Sequence, residues 1–397
     1  ALLAVGVGLV IFAAPSLTTL KEARFLFPIV SLILIFDTLQ GFGFSLVRSL
    51  EKMELEAVFY LTTNVAIVIF GFLALYFSPS VKFFAYAYAA GTAVGATVTI
   101  FALRKYFSKI FSNFQKKLVA PILGSAWPFV ISGLMGSLML NTDILLIGFF
   151  LSAEHVGIYS AADRPIQLLY VLPAILATSV FPIFARLAVS SHQKMRSVLE
   201  RVLSLAFLLS LPLALGGLVL GGDIIRIVFG QAYTPAVSSF RVLVITISIN
   251  FTTAILSNAI FAYNRQKDLI KFAALGGIIN IVLDLIFIPR FGILGSAWAT
   301  FCAQLIGNFY LWNKMRQLNP FSVLPKIKKV GVAALIMALA VFGLHRLGMN
   351  LFLNIAMGGA IYFAFLYFMK ERLLRDIKFI LRPGASSELE SSELASL

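Results

Sequence analysis

The chain has 397 residues, of which 60% are hydrophobic and 12% are charged. Soluble globular domains are about 45–50% apolar and about 25% charged, so this composition excludes an ordinary soluble protein. The single cysteine, Cys302, and three dispersed histidines exclude a disulfide framework and a Cys/His metal site, and no cofactor is expected. The composition therefore predicts a polytopic membrane protein.

Apolar stretches of about 20 residues, the length that crosses a bilayer, recur along the chain. The pattern predicts an all-α bundle with about 12 transmembrane helices in this sequence. The first stretch is short and no charged leader precedes it, so we expect the natural N-terminus to lie upstream. The predicted spans lie near residues 1–14, 28–47, 57–77, 82–103, 125–150, 165–187, 200–220, 236–262, 268–288, 292–313, 326–346 and 350–370.

The net charge of +15 is explained by how the basic residues are distributed between the two sides of the membrane. Alternate connections between spans hold 24 of the 32 Lys and Arg residues. Because basic residues concentrate on the cytoplasmic side, this bias predicts a plasma (inner) membrane protein with a cytoplasmic C-terminus. Nucleic-acid binding is not expected. The basic connections lie near residues 48–56, 104–124, 186–201, 263–271, 314–329 and 370–382.

The basic connection over residues 105–120 marks the clearest domain boundary. Its apolar side chains recur at helical spacing between lysines, which predicts an amphipathic cytoplasmic helix lying on the inner leaflet. A solvated basic loop is the alternative. The expected organisation is the remainder of an N-terminal lobe (1–104), the linker helix (105–120), a C-terminal lobe (121–315), an extra helix pair (316–382) and a disordered cytoplasmic tail (383–397).

Prolines and a short outer loop shape the start of the C-terminal lobe. Pro165, Pro173 and Pro182 fall in one predicted span, so that helix should be bent. Asp163 and Arg164 are expected to open this helix at the outer face. From there Arg164 could pair with Asp143 across the loop.

Polar residues inside the spans mark a candidate substrate cavity, because a charge exposed to lipid costs a few kcal/mol. For the amides the alternative is hydrogen bonding between helices, and for Arg48 it is snorkelling to the interface. Asp37 and Asp143 are also the candidates for ion coupling. The predicted cavity residues are Asp37, Arg48, Asn64, Asn141, Asp143, Arg164, Gln167, Arg241 and Asn250.

Catalytic motifs are not recognisable in the sequence. No Ser-His-Asp set can be assembled, and no glycine-rich phosphate-binding loop follows a strand. The predicted outer loops are too short to form a catalytic domain. We therefore expect a transporter rather than an enzyme.

Several segments resemble the second lobe of Wzx-type polysaccharide flippases of the MOP superfamily, which are related to MATE exporters and lipid II flippases. The resemblance begins at WPFVISGLMGSLMLNTDILLIGFFLSAEHVGIYSAADRPIQLL and continues at FPIFARL and FGQAYTPAVSSFRVLVI. It is strongest in NRQKDLIKFAALGGIINIVLDLIFIPRFGILGSAWATFCAQLIGN, and it covers essentially the whole chain.

The resemblance implies a MATE-like two-lobe bundle of about 14 helices in the full chain, of which about two would precede this sequence. It implies translocation of a polyprenyl-pyrophosphate-linked oligosaccharide by rocking of the lobes. Arg48, Arg164 and Arg241 could meet anionic groups of the substrate. The resemblance is also compatible with coupling to H⁺ or Na⁺, and with partners such as a polysaccharide polymerase or glycosyltransferase.

Other functions remain open at this point. A multidrug exporter of the same superfamily would favour a cavity of carboxylates and aromatics, and a lipid II flippase is not separated by any residue. A membrane glycosyltransferase or polymerase would need a large outer loop or a carboxylate cluster that binds a metal. A scaffold for envelope assembly would tolerate neutralisation of the cavity charges.

Overall fold

The computed structural model describes residues 25–107, 115, 117, 119–122, 124 and 141–369. Among these residues the secondary structure is helical, without strands. The chain divides into two compact units, Ala1–Trp127 and Pro128–Leu397. The predicted span at 1–14, the first part of the span at 125–150, most of the linker at 105–120 and the tail at 383–397 lie outside the described residues.

The first unit contains three long helices, α1 (Leu26–Ser49), α2 (Met53–Phe77) and α3 (Val81–Ala102). A one-turn helix, Arg104–Phe107, follows them. The hydroxyl of Ser80 accepts a hydrogen bond from the backbone N–H of Phe83 at 3.3 Å and so caps the N-terminus of α3. The bounds agree with the spans predicted from hydropathy.

Small residues let α3 pack closely against α1 and α2. A Cβ atom added at Gly91 would lie 2.7 Å from the backbone N and Cα of Ile67, so only glycine fits there. On the α1–α2 contact, the buried Gln40 amide donates to the Thr63 hydroxyl. Large side chains such as Phe72 and Tyr76 are exposed on this unit and provide a face for lipid.

The second unit is built around α8, which is the most buried of its membrane helices. Helix α8 packs against α5, α6, α7 and α10, and the pair α11–α12 joins the unit through α7. The helices are α4 (Asn141–Phe150), α5 (Ala153–Leu169), α6 (Val171–Ser190), α7 (His192–Phe229), α8 (Ala236–Ala262), α9 (Gln266–Phe291), α10 (Ile293–Leu318), α11 (Leu324–Arg346) and α12 (Leu351–Phe368).

Within the described ranges, nine helical segments are long and apolar enough to cross a membrane, with α5 and α6 together forming one of them. The chain is thus an integral membrane protein. Helix α10 has sufficient length, 26 residues, but is not among the nine. Its polar residues lower its hydropathy and prove important for the site.

The span predicted to be bent is interrupted at Tyr170, where α5 ends and α6 begins. The predicted start of this span was wrong, however. Ser152 accepts a hydrogen bond from the backbone N–H of His155, so α5 already begins at Ala153. Arg164 therefore lies eleven residues into the helix, about 16 Å along its axis, rather than at its mouth.

A single glycine connects α9 to α10. Gly292 adopts φ +60° and ψ −142°, a conformation that L side chains rarely adopt. Gly295 then allows the returning helix to pass, since a Cβ atom there would lie 2.3 Å from the carbonyl oxygen of Phe287. This tight turn brings α9 and α10 side by side, so residues near their joined ends become neighbours.

Helix α11 is attached to α7 by the buried carboxylate of Glu200. It accepts hydrogen bonds from Arg196 Nε at 3.0 Å and from the backbone N–H of Ser322 at 2.8 Å. It also pairs with the ammonium group of Lys326 at 2.7 Å. One acidic side chain therefore ties α7 to the connection that leads into α11.

The turn between α8 and α9 is fastened at the same end by Tyr263. Its hydroxyl lies 3.3 Å from His192 Nδ1 and accepts a hydrogen bond from Asn319 Nδ2 at 3.1 Å. Burial raises the pKa of the Tyr263 phenol, so its hydroxyl stays protonated and available to His192. These contacts bring together the α6–α7, α8–α9 and α10–α11 connections at one end of the unit.

Candidate functional site

The carboxylate of Asp143 is held by hydroxyl groups from two other helices. Its Oδ2 accepts a hydrogen bond from Tyr159 on α5 at 2.7 Å and from Thr300 on α10 at 2.6 Å. Tyr159 is only 1% exposed, so the contact lies inside the unit. The site thus joins α4, α5 and α10 at a charged group that the sequence singled out.

The predicted ion pair between Asp143 and Arg164 is not formed among the described residues. The reason is helical geometry. Arg164 follows Tyr159 by five residues, which rotates it by about 140° around α5. Tyr159 is buried against Asp143, whereas Arg164 is exposed. The carboxylate therefore has hydroxyl partners instead of a guanidinium.

A second carboxylate, Asp284 on α9, lies against Asp143 and Ser296. Asp284 is 0% exposed, and neither of its carboxylate oxygens receives a hydrogen bond from any described residue. The Nδ2 of Asn280, one turn before Asp284, is also buried without a partner in this part of the chain. Unpartnered buried polar groups are rare and call for an explanation.

We call this group of side chains the acidic cluster. Two adjacent carboxylates away from water are stable only when a proton or a cation lies with them. Carboxylate, hydroxyl and amide oxygens suit a hard cation. Groups of three or more His, Cys, Asp or Glu are absent from the described residues. The two carboxylates with the hydroxyl and amide oxygens beside them form a donor set that a proton or a cation such as Na⁺ can occupy. The acidic cluster consists of Asp143, Tyr159, Asn280, Asp284, Ser296 and Thr300.

The other predicted residues of the second unit lie on α4, α5 and α8. Gln167 donates to Asp163 on α5. Arg164 and Arg241 are exposed and take part in none of the ion pairs formed by the described residues. Asn141 is exposed on α4, and Asn250 is half-buried on α8.

In the first unit the predicted residues are mostly engaged locally or exposed. The guanidinium of Arg48 pairs with Glu56, with Nε 2.7 Å from Oε2. Asn64 donates to the carbonyl oxygen of Tyr60 on its own helix at 2.8 Å. Asp37 is exposed on α1. The contacts of these three residues do not build a site within this unit, and their cavity role stays a prediction.

Sequence reasoning missed five of the six members of the acidic cluster as site residues, all except Asp143. Asn280 and Asp284 form an i, i+4 pair, a spacing so common in helices that it does not mark a site. Tyr, Ser and Thr are common in membrane helices, so nothing in the sequence distinguished Tyr159, Ser296 and Thr300 as site residues. The available signal was the repeat of polar residues at four-residue spacing that begins at Ser296 on α10.

Residues 1–188 match the family described as "Polysaccharide biosynthesis protein". The probable flippase AglR of Haloferax volcanii is 29% identical over 211 residues, 50% of this chain and 43% of that protein. The probable low-salt glycan biosynthesis flippase Agl15 of the same organism is 28% identical over 243 residues, 59% of this chain and 51% of that protein. The predicted resemblance to polysaccharide flippases is confirmed.

The chain spans about half the length of these flippase relatives. Among solved structures, the lipid II flippase MurJ in its inward closed conformation superposes with a TM-score of 0.76 at 20% identity. The match covers 94% of this chain and 81% of that chain. This likeness confirms the predicted fold, an all-α helical bundle.

Proposed function

We propose that this chain is part of a flippase that moves a polyprenyl-pyrophosphate-linked oligosaccharide from the inner to the outer leaflet by alternating access. The flippase names of AglR and Agl15 support this function. The observation that carries it is the acidic cluster, in which Asp143 and Asp284 meet inside a membrane unit. Buried carboxylates of this kind mark ion pathways in transporters.

The acidic cluster would couple an ion gradient to movement of the helices. When H⁺ or Na⁺ binds, the repulsion between Asp143 and Asp284 is removed, which favours close packing of α4, α9 and α10. When the ion leaves, the same repulsion favours separation. An ion that binds one arrangement better than the other shifts the population toward it, and this is the requirement for coupled transport.

The pyrophosphate of the substrate would be met by exposed arginines of the second unit. Arg164 and Arg241 are exposed on α5 and α8, and guanidinium groups bind phosphate oxygens in a bidentate manner. Asn141, Gln167 and Asn250 offer amides for sugar hydroxyls. Asp37, Arg48 and Asn64 would contribute from the first unit, although Arg48 would first have to leave Glu56.

The protein would lie in the plasma (inner) membrane with its C-terminus in the cytoplasm. The basic residues at the connections near 191, 263–265 and 319–323 support this orientation. A glycosyltransferase on the cytoplasmic side would supply the lipid-linked oligosaccharide, and a polysaccharide polymerase on the other side would consume it. Membrane lipids surround the exposed apolar faces.

The test is translocation by the full-length protein in proteoliposomes that carry the lipid-linked oligosaccharide, with a glycosidase outside to report exposed sugar. We expect Asp143→Asn and Asp284→Asn to abolish ion-dependent exposure. Asp223→Asn is the matched control, because Asp223 pairs with Arg226 and His345 away from the acidic cluster. Exposure that is independent of the two cluster carboxylates would contradict ion coupling.

The alternatives are separated in the same vesicles. A multidrug exporter would take up a cationic dye without exposing sugar, and a lipid II flippase would expose lipid II in preference to the oligosaccharide. A glycosyltransferase or polymerase would lengthen the glycan. Loss of sugar exposure in Arg164→Ala and Arg241→Ala, with normal ion binding, would support arginine contacts to the pyrophosphate.

A further inference from the structure

Helix α10 carries a stripe of four polar residues at four-residue spacing. Such residues lie on one face of a helix, and the separation of twelve positions between first and last covers about 18 Å, more than half the hydrocarbon thickness. We call this the polar stripe. It starts in the acidic cluster and runs toward the C-terminal end of α10, which is the end rich in basic residues. Its members are Ser296, Thr300, Gln304 and Asn308.

The middle of the polar stripe meets the bend between α5 and α6. Gln304 Nε2 donates to the hydroxyl of Tyr170 at 3.4 Å, and this hydroxyl lies 2.8 Å from Oγ1 of Thr246 on α8. The Oε1 of Gln304 is buried and receives no hydrogen bond from the described residues. A long hydrogen bond beside an unpartnered acceptor holds two helices together only weakly. The contact between Gln304 and Tyr170 can therefore open easily.

The far end of the polar stripe reaches the surface of the unit. Asn308 Nδ2 donates to Oγ1 of Thr252 and of Thr253, both at 2.9 Å. Thr253 is half-buried, as are Ser257 and Asn258 on the next turn of α8. The polar contacts thus continue from the buried carboxylates to a partly exposed face.

We propose that the polar stripe is the route by which H⁺ or Na⁺ moves between the acidic cluster and the surface at Thr253, with Gln304 and Tyr170 as its gate. The proposal rests on the ion coupling of the proposed function. Tyr170 is the residue between α5 and α6, so a change in the angle between these helices moves its hydroxyl relative to Gln304. The gate then opens or closes as α5 moves.

A route residue differs from a ligand in a measurable way. Obstructing a route slows entry and exit by the same factor and leaves the equilibrium dissociation constant unchanged. Removing a ligand or loosening the fold changes the dissociation constant itself. Trp298, which lies on α10 between Ser296 and Thr300, can report binding by its fluorescence.

The experiment is stopped-flow mixing of the full-length protein with Na⁺, with Li⁺, or with buffer of a different pH. Trp127→Phe and Trp312→Phe leave Trp298 as the reporter. We expect Gln304→Leu to slow association and dissociation each by about tenfold or more. The Kd should stay within about twofold of the unsubstituted value. Gln317→Leu is the matched control, because Gln317 is exposed on the same helix outside the stripe.

Thr253→Val, which preserves the side-chain shape, tests the mouth of the route and covers the case that Gln304→Leu fails to fold. Equal slowing of both rates in either variant supports the route. Unchanged rates, or a changed Kd with an unchanged association rate, overturn it. A protein that responds to none of Na⁺, Li⁺ or pH overturns it too, whereas sugar exposure in proteoliposomes still decides the proposed function independently.

Discussion

The phenol oxygen of Tyr159 lies 2.7 Å from Oδ2 of Asp143 and fastens α5 to α4 inside the second unit. Arg164, a proposed contact for the pyrophosphate, follows on the same helix five residues later. A change in the occupancy of the acidic cluster can therefore reach Arg164 through one rigid helix. Ion binding and substrate binding would share α5, although they use opposite sides of it.

Replacing Tyr159 by Phe removes one of the two hydroxyl donors to Asp143 and keeps the ring in place. A hydrogen bond to a charged group contributes about 1.5–3 kcal/mol, and its loss disturbs the geometry of the carboxylate. We expect the affinity for the bound cation to fall by about tenfold. Fluorescence titration of Trp298 with Na⁺ or with protons measures this change.

Tyr310→Phe is the control for that experiment. Tyr310 also lies in the second unit and donates to a carboxylate, Asp268, at 3.3 Å, but it does so at the basic end of α10. Its substitution should leave cation affinity unchanged. Equal losses in the two variants would show a general effect on the fold rather than a role of Tyr159 in the acidic cluster.

Asp284→Asn removes the buried charge next to Asp143 while keeping the size of the side chain. In cation-free alkaline buffer, where the proton held by the carboxylate pair is lost, we expect the variant to have a higher Tm than the unsubstituted protein, because the repulsion with Asp143 is gone. Cation at about 100 times its Kd should stabilise the unsubstituted protein by about 2.7 kcal/mol and the variant by much less. Thermal unfolding in detergent measures both. A lower Tm for Asp284→Asn than for Asp223→Asn in cation-free alkaline buffer would contradict the repulsion.

Hydropathy predicted where the membrane helices run, because the bilayer fixes the length of each apolar segment. It failed at the start of α5, where the polar stretch around Glu154 and His155 suggested a loop although Ser152 caps a helix there. Asp143 was identified because a charge within a span is costly. Asp284 was not assigned to the site, since it lies 141 residues away in sequence and only packing of α9 reveals that it meets Asp143.

Gly91→Ala should destabilise the first unit. The added Cβ would lie 2.7 Å from the backbone of Ile67, and backbone atoms cannot yield as a flexible side chain can. Overpacking of this kind costs about 1–3 kcal/mol. Gly41→Ala is the matched control, because a Cβ there meets nothing within 4 Å and alanine favours a helix. A Tm for Gly91→Ala equal to that of Gly41→Ala would contradict the close α2–α3 contact.

Glu200→Gln tests how α11 is held to α7. The variant keeps the carbonyl oxygen that can accept from Ser322, but it removes the charge opposed by Arg196 and Lys326. Hydrogen bonds to charged groups contribute about 1.5–3 kcal/mol each, and the partial exposure of both cations reduces this. We therefore expect a loss of about 1–2 kcal/mol and faster proteolysis within residues 319–323, the connection that Glu200 fixes. Glu154→Gln, on the exposed first turn of α5, should change neither. Equal cleavage rates in the two variants would show that apolar packing between α7 and α11 suffices to order this connection.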